Sequence, residues 1–222
     1  MGGEFLLKGA TIRRLLVGLG VTLRISLISV VLSIPLGVVM GVLFTRKSPL
    51  LRAVLRVYLD FIRVMPQLVL LFLVYFGTAT TLGLNFTGEV ASIIVFTAWG
   101  AAELGDLVRA ALEAIPRSQY DSSYVLGLTQ RQTFMRVILP QALRSLLPPS
   151  VNLVTRIIKT TSLCMLIGVV EVVRVGQQII DYYRFDYPQG ALWTYATLAL
   201  LYFAICWPLS RLSAWLEGRN AR

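Results

Sequence analysis

Three ionisable residues stand inside a long apolar stretch of the sequence, residues 90–111. They are Glu103, Asp106 and Arg109, and Glu103 lies eight residues from the end of the stretch at residue 111, or ~12 Å at the helical rise. A charge inside an apolar span is costly, so it must either form an ion pair or bind a charged ligand. Asp106 and Arg109 are one helical turn apart, and we expect a structural ion pair between them. Glu103 remains a candidate for ligand binding.

A second polar group emerges from helical periodicity in another apolar stretch, residues 146–170. Hydrocarbon offers no hydrogen-bond partner, so polar side chains in a span must face a cavity or another helix. Lys159 lies at a depth similar to that of Glu103. At about 100° per residue, the side chains that share one face are Asn152, Thr155, Lys159 and Ser162, with Leu163 beside them.

The residue types exclude most catalytic chemistry. The chain has no histidine, which removes most zinc, haem and histidine-base chemistry. Cys164 and Cys206 fall inside predicted spans and are interpreted as small apolar residues. No Gly-x-x-x-x-Gly-Lys-Ser/Thr sequence occurs, so nothing here holds a nucleotide phosphate in the manner of a P-loop. We therefore predict that the chain is not an enzyme and has no cofactor or metal of its own.

Composition predicts the elements that position these residues. Of 222 residues, 56% are hydrophobic and 14% are charged, whereas soluble proteins have about 25% charged residues. We predict an all-α integral membrane protein with five transmembrane helices and a kink at Pro66. A surface amphipathic lead (residues 1–21) precedes one membrane domain (22–216), which contains a polar loop (114–145), and a tail (217–222) ends the chain. The predicted spans are residues 22–44, 57–77, 90–111, 146–170 and 193–215.

Basic residues indicate how the spans are oriented. The net charge is +10, and the basic residues cluster between spans, where they meet anionic lipid and not nucleic acid. Residues 78–89 contain no Lys or Arg. We therefore expect the N-terminus outside and the C-terminus in the cytoplasm, although Lys8, Arg13 and Arg14 argue mildly against this orientation. The prediction rests on Arg46, Lys47, Arg52, Arg56, Arg117, Arg131, Arg136, Arg144, Arg211, Arg219 and Arg222.

A polar stretch, residues 121–140, separates the third and fourth spans and faces the cytoplasm in this topology. It opens with Asp121, has Gly127 six positions later, and ends in an apolar run at Pro140. An ordinary amphipathic helix, with a glycine for packing and a proline opening the next helix, is one interpretation. The spacing also resembles the cytoplasmic loop motif of permease subunits in ATP-driven (ABC) importers. That motif has Glu-Ala-Ala, a glycine six positions after the Glu, and Ile-x-Leu-Pro.

The match is one of spacing, because several residue types differ. Asp121, Ser122 and Ser123 stand in the place of Glu-Ala-Ala, and Val137 in the place of the isoleucine. In the resembled family this loop forms a short coupling helix that seats in a cleft of the ATPase subunit. The resemblance therefore implies that residues 121–140 dock an ATPase. It assigns coupling to Asp121, Ser122, Ser123, Tyr124, Gly127, Leu128, Phe134 and Pro140.

Three further runs resemble permeases for polar amino acids. Asp106-Leu-Val-Arg109 is similar to the acidic-x-x-Arg pattern of that group, and Arg63-Val-Met-Pro66 with Tyr75-Phe-Gly77 to its second span. Leu70 and Gln67 depart from the pattern, since the family often carries a Gln four residues after this proline. Residues 152–163 are similar to its Asn…Lys-x-Thr-Ser-Leu run.

The resemblance implies a type I ABC importer-like permease subunit in the inner membrane of a bacterium. Its implied partners are a second permease (an identical copy or a sister subunit), two ABC ATPase subunits that bind ATP and Mg²⁺, an extracytoplasmic solute-binding protein, and membrane lipid. The substrate is a small amino acid. We expect Glu103 to meet a cationic side chain, which indicates basic amino acids, while Lys159 or the face of Asn152 and Ser162 takes the α-carboxylate.

The sequence is less consistent with two other function classes. A secondary carrier could use Glu103 and Asp106 for proton coupling, but five spans without an inverted repeat, together with the loop motif, argue against it. A membrane enzyme is remote, because no nucleophile–base pair or metal cluster is present in the sequence.

Overall fold

A computed structural model describes residues 4–46 and 48–220 of the chain. Lys47 and Arg222, which the orientation prediction used, lie outside the described residues. The chain forms α-helices joined by short connections. They are α1 (Gly9–Phe44), α2 (Pro49–Val64), α3 (Gln67–Phe72), α4 (Thr78–Leu82), α5 (Gly88–Glu113), α6 (Arg117–Val125), α7 (Gln130–Thr133), α8 (Leu139–Thr160), α9 (Val172–Tyr183) and α10 (Gly190–Asn220).

The predicted spans agree with long apolar helices, most closely for the third span. Within the described residues, four helical stretches are long and apolar enough to cross a membrane: Gly9–Phe44, Gly88–Glu113, Gln130–Ile167 and Gly190–Arg219. Helix α1 runs without a break through the predicted boundary at residues 21–22, so the amphipathic lead and the first span form one helix. The fourth helical stretch begins at Gln130, well before residue 146. Helix α7 and a π-helical segment, Phe134–Ile138, precede α8 in this stretch.

The second span is broken and not merely kinked. Helix α2 ends at Val64, and the chain becomes helical again at Gln67. Pro66 lies in the break with φ −58° and ψ 129°. Proline has no N–H to donate and disfavours the helical conformation for the residue before it. Helix α2 therefore ends before Pro66, and α3 begins after it. The stretch counts as a fifth span only if Pro49–Val64 and Gln67–Leu82 are taken together.

Helix α9 was not predicted from the sequence, and it organises one of two compact units. This unit comprises Met1–Val30, Met65–Thr97 and Thr155–Pro208. Val172, Val175 and Ile179 recur at helical spacing on α9 and are buried in the core of the unit. Gly18 of α1 packs against α9 so closely that an added Cβ would lie 2.8 Å from Val175 Cγ2. Phe5, Leu15 and Leu198 are buried in the same hydrophobic cluster.

Glu171 begins α9 as a fully buried helix cap. Its carboxylate accepts hydrogen bonds from the backbone N–H of Val173 at 2.9 Å and of Arg174 at 2.8 Å. Thr22 Oγ1 of α1 donates to the same carboxylate at 3.4 Å. Burial raises the pKa of Glu171, and these hydrogen bonds oppose that rise. The cap therefore fixes the start of α9 against α1 and places an ionisable group in the interior.

The second unit comprises Val31–Val64, Ala98–Val154 and Leu209–Arg222. Here α1 and α5 approach at small residues, because Gly41 would bring an added Cβ within 2.4 Å of Val108 Cβ. Gly105 on α5 would meet Met40 Cβ at 3.1 Å. Such small-residue contacts allow helices to pack closely in a membrane, where no hydrophobic drive brings them together. They hold the end of α5 that carries the candidate site.

Candidate substrate and coupling sites

The charged residues of α5 belong to a chain of alternating ion pairs in the second unit. Arg63, on α2, bridges two carboxylates: its Nε lies 3.0 Å from Glu103 Oε1, and its Nη1 donates to Asp106 Oδ2 at 2.8 Å. Arg109 Nη2 then donates to Asp106 Oδ1 at 2.6 Å, and its Nη1 to Glu113 Oε2 at 2.6 Å. The expected Asp106–Arg109 pair is thus present, as part of a larger network that joins α2 to α5.

The cation beside Glu103 is Arg63 of α2, which the sequence analysis did not assign to this carboxylate. The side chain of Glu103 is 11% exposed, against 25% for Asp106 and 53% for Glu113. Among the described residues, these ion pairs join three carboxylates and two guanidiniums, which together carry one formal net negative charge. The sequence had marked Arg63 only as part of a resembled motif. Forty residues separate it from Glu103, and no local pattern reveals such a contact.

A cavity of about 510 Å³ lies beside the network in the same unit. It extends from the end of α1 along α2 to the last turns of α5. Its charged lining comes from Arg52, Arg56, Asp60, Arg63, Asp106, Arg109 and Glu113. Glu103 is not among the residues that line it.

The polar face predicted on α8 is only partly present. Asn152 and Lys159 are exposed, and Arg156 is exposed with them, at spacings of four and three residues. Thr155 is 4% exposed and therefore points inward, which corrects its place on the face. The α-helix also tightens to a 3-10 helix over Thr161–Ile167, so the assumed 100° step does not continue to Ser162.

The remaining predicted residues of that face lie beside Lys159. Ser162 Oγ donates to the carbonyl oxygen of Lys159 at 2.9 Å, and Ser162 and Leu163 are both half-buried. Lys159, Ser162 and Leu163 belong to the first unit, whereas Asn152 and Glu103 belong to the second.

The polar loop contains a short helix, α6, that ends in a glycine turn. Gly127 has φ +77°, a left-handed conformation that favours glycine. Its N–H donates to the Tyr124 carbonyl at 3.0 Å, and the N–H of Leu128 donates to the Ser123 carbonyl at 3.1 Å. These bonds satisfy the last carbonyls of α6 and reverse the chain. Asp121, Ser122, Ser123 and Tyr124 all lie on this helix.

The next helix starts with a cap that the sequence analysis did not identify. Thr129 and Gln132 exchange hydrogen bonds between side chain and backbone, at 3.3 Å and 2.9 Å, in a capping box. The Thr-x-x-Gln spacing was a readable signal for it. Phe134 opens a π-helical turn and is 37% exposed, and Pro140 lies exposed in the first turn of α8.

Apolar side chains at the end of α6 are strongly exposed. Tyr124 is 47%, Val125 87% and Leu126 79% exposed, so the end of α6 is a candidate docking surface. Leu128 is half-buried. Ser123 is 3% exposed, and its hydroxyl donates to the Gln119 carbonyl at 2.7 Å, so it stabilises α6 and is not presented to a partner.

Apolar spans, an intramembrane ion network and a polar loop with an apolar helix end define a multi-pass membrane subunit of a transport system. The model of the family described as "Binding-protein-dependent transport system inner membrane component" matches residues 33–222. The chain belongs to this family. It is a permease subunit of an amino-acid ABC transporter, and ATP hydrolysis lies in separate subunits.

Relatives with high coverage support the same class. The chain is 35% identical to the probable amino-acid ABC transporter permease protein YckA of Bacillus subtilis, covering 85% of this chain and 81% of that protein. It is 32% identical to the probable amino-acid ABC transporter permease protein PatM of Vibrio harveyi, covering 99% and 97%. It is 31% identical to the probable glutamine ABC transporter permease protein GlnP of Bacillus subtilis, covering 91% and 92%.

Solved structures share the fold. A crystal structure of an amino acid ABC transporter with histidines aligns with a TM-score of 0.86 at 24% identity, covering 99% of this chain and 100% of that one. An inward-facing structure of the MetNI methionine ABC transporter aligns with a TM-score of 0.72 at 21% identity, covering 95% and 99%. The predicted type I importer fold is confirmed.

Proposed function

We propose that this subunit forms the pathway of an importer for polar amino acids, with basic amino acids as its preferred substrates. It pairs with an identical copy or a sister permease, with two ATPases that bind ATP and Mg²⁺, and with an external solute-binding protein. The chain spans the inner membrane of a bacterium. Its N-terminus lies on the extracytoplasmic side and its C-terminus on the cytoplasmic side, the orientation that the basic segments favour.

The observation that carries the proposal is the position and charge of Glu103. It is the least exposed carboxylate of the ion network, and the network has one negative charge in excess. A cationic side chain beside Glu103 would neutralise that excess. Since Arg63 holds Glu103 in the structure, the substrate cation competes with Arg63 for the carboxylate. Binding of the α-carboxylate of the substrate by Lys159, or by Asn152 and Ser162, stays a prediction from the sequence.

The names of related proteins support an amino acid as the substrate, but they do not agree on the side chain of that amino acid. The curated relatives carry names for glutamine, for L-cystine and for amino acids in general. A neutral polar side chain is therefore the competing specificity. It would need no counter-charge at Glu103, and this difference makes Glu103 the residue that decides between them.

The coupling proposal rests on the exposed end of α6. Tyr124, Val125 and Leu126 present apolar area that a cleft of the ATPase subunit would cover. Motion of the ATPase would then reach the spans through α6, which follows α5 directly in the chain at Pro116. A secondary carrier has no use for such a docking surface.

The test is the ATPase activity of the reconstituted complex with a panel of amino acids at saturating binding protein. We expect arginine or lysine to stimulate most, and Glu103→Gln to lose that stimulation by about tenfold or more while the complex still assembles. Glu113→Gln, which removes an equal charge from the exposed end of the network, is the matched control and should retain the preference. Equal stimulation by arginine in wild type and Glu103→Gln would refute the basic specificity.

A further inference from the structure

The cavity beside the ion network is also lined by charged side chains that do not belong to the network. Arg63, Asp106, Arg109 and Glu113 pair with one another. Arg52, Arg56 and Asp60 also line the cavity. Among residues 4–46 and 48–220, none of these three has an ion-pair partner within 4.0 Å. Within the described residues, the cavity lining therefore includes two guanidiniums and one carboxylate on α2 that form no ion pair.

Helix α2 separates its side chains into three faces, and this separation directs the free charges. Leu59 and Ile62 are buried against the unit. Val57 and Val64 represent an exposed apolar face, at 70% and 79% exposure. Residues 52, 56, 60 and 63 recur at intervals of three and four, so their side chains occupy the third face, which lines the cavity. Because Leu59 and Ile62 are buried, the helix cannot rotate, and the charged side chains therefore face the cavity.

Arg52, which lines the cavity, is held in place by the backbone. Its Nε donates to the backbone carbonyl of Arg46 at 2.7 Å, which fixes the side chain at the junction of α1 and α2. Arg56 follows one turn later and Asp60 one turn after that. Neighbouring side chains at this spacing have Cβ atoms about 5–6 Å apart, so a small ligand can contact adjacent members.

We propose that this cavity binds a free α-amino acid through the two charged groups that all amino acids share. Arg52 and Arg56 donate hydrogen bonds to the α-carboxylate, and Asp60 accepts from the α-ammonium group. Guanidiniums suit carboxylates because their N–H groups form parallel pairs of charge-assisted hydrogen bonds. The side chain of the ligand lies against Phe44 and Leu59, which form the apolar part of the lining.

The pattern of charges favours a zwitterion over simpler ligands. A phosphate or other anion would bind the two guanidiniums but would be repelled by Asp60. A cation would be repelled by Arg52 and Arg56. The volume of about 510 Å³ falls within the ~300–1,000 Å³ of small-molecule pockets.

This site differs from the proposed pathway site in what it recognises. It binds the α-carboxylate and the α-ammonium group and does not select among side chains. The proposal therefore rests on the amino-acid class of the transporter and not on the preference for basic amino acids proposed above. It also lies where coupling begins, since Glu113 lines the cavity and Pro116 opens α6 three residues later. Occupancy is therefore placed to influence the coupling helix.

The test is binding of radiolabelled L-glutamine and L-arginine to the purified complex in nanodiscs, without the solute-binding protein. We expect Arg52→Gln/Arg56→Gln and Asp60→Asn each to weaken binding of both amino acids by about tenfold or more, in a site that Glu103→Gln leaves intact. Arg46→Gln is the matched control, because Arg46 is exposed in the same segment and its side chain does not line the cavity.

Analogues test the same site in the unaltered protein, whatever the variants do to assembly. L-Glutamine should compete with the label, whereas L-glutamine α-methyl ester and the des-amino analogue of glutamine should each compete at least tenfold less well. The proposal is overturned if wild type shows no such site, if the variants bind like Arg46→Gln, or if either analogue competes equally. Competition by inorganic phosphate, or by anionic lipid in the nanodisc, would reassign the cavity to anions. Failure of the basic specificity would appear separately, as equal responses to arginine in Glu103→Gln and wild type.

Discussion

Arg63 Nε lies 3.0 Å from Glu103 Oε1, and this contact joins α2 to the middle of α5. The same guanidinium reaches Asp106 at 2.8 Å, so one side chain bridges two carboxylates of the span. Arg63 stands two residues before the helix break at Met65 and Pro66. The end of α2 is thus fixed to α5 by charge at the point where the second span loses its helical hydrogen bonds.

Removal of Arg63 should destabilise the protein through the carboxylates that it leaves behind. We expect Arg63→Gln to lower the Tm of the purified complex, and Arg63→Gln/Glu103→Gln to recover part of the loss. Contacting residues of this kind show coupling energies of about 0.5–3 kcal/mol. Arg63→Lys should recover less than the double variant, because an ammonium cannot bridge two carboxylates as a planar fork does.

The Arg24–Glu89 ion pair supplies the comparison for this experiment. Its side chains are 55% and 38% exposed, and exposed pairs contribute about 0–1 kcal/mol. Arg24→Gln should therefore change the Tm less than Arg63→Gln. Equal shifts in the two variants, or no recovery in the double variant, would contradict a stabilising role for the Arg63–Glu103 contact.

The close approach of α1 and α5 should be intolerant of added volume. A Cβ at Gly41 would lie 2.4 Å from Val108 Cβ and 2.8 Å from the Gly105 carbonyl oxygen, which is backbone and cannot rotate away. We expect Gly41→Ala to destabilise the protein by roughly 1–3 kcal/mol, the usual cost of overpacking. Gly20→Ala on the same helix has nothing within 4 Å and is the control. Thermal unfolding in detergent measures both, and equal Tm values would disprove the tight contact.

Sequence patterns predicted the features that depend on neighbours in the chain. The third span was placed within a few residues, and the Asp106–Arg109 pair followed from a spacing of three. The Arg63–Glu103 contact could not be predicted, because it depends on how α2 packs against α5. Helix α9 was missed since it is short and amphipathic, and no run of apolar residues marks it. Glutamate is also an uncommon helix cap, so Glu171 gave no signal for its start.

The turn at Gly127 should be required for coupling. Its φ of +77° is strained for other residues, while nothing within 4 Å would meet an added Cβ. Gly127→Ala therefore tests backbone conformation alone, at a cost of roughly 1–2 kcal/mol for the left-handed region. We expect lower ATPase stimulation by substrate, with Gly127→Asn milder because asparagine tolerates this region. Gly218→Ala, in a helix with open space around it, should behave like wild type. Full stimulation in Gly127→Ala would show that the turn is dispensable.

The exposed end of α6 should hold the ATPase subunit by apolar contact. Leu126→Glu places a charge on a side chain that is 79% exposed, so it should leave folding intact and weaken association with the ATPase by about tenfold or more. Gln130→Glu introduces the same charge at a nearby exposed position and is the control. Co-purification of the two subunits over a dilution series measures the difference. Equal recovery of the ATPase with both variants would remove Leu126 from the interface.

The buried cap at Glu171 should make stability depend on pH. Its ordinary pKa of 4.5 is raised in the folded protein by burial, so between those two values the folded state binds more protons than the unfolded state. Stability must then fall as pH rises from about 4.5 through the folded pKa. Glu171→Gln keeps an oxygen that can accept from the N–H groups of Val173 and Arg174 but cannot ionise. The Tm of wild type minus that of Glu171→Gln should therefore be larger at pH 5 than at pH 8. Glu217→Gln, at an exposed position, corrects for the loss of one carboxylate. A difference that grows with pH would mean that hydrogen bonding, and not burial, dominates at this cap.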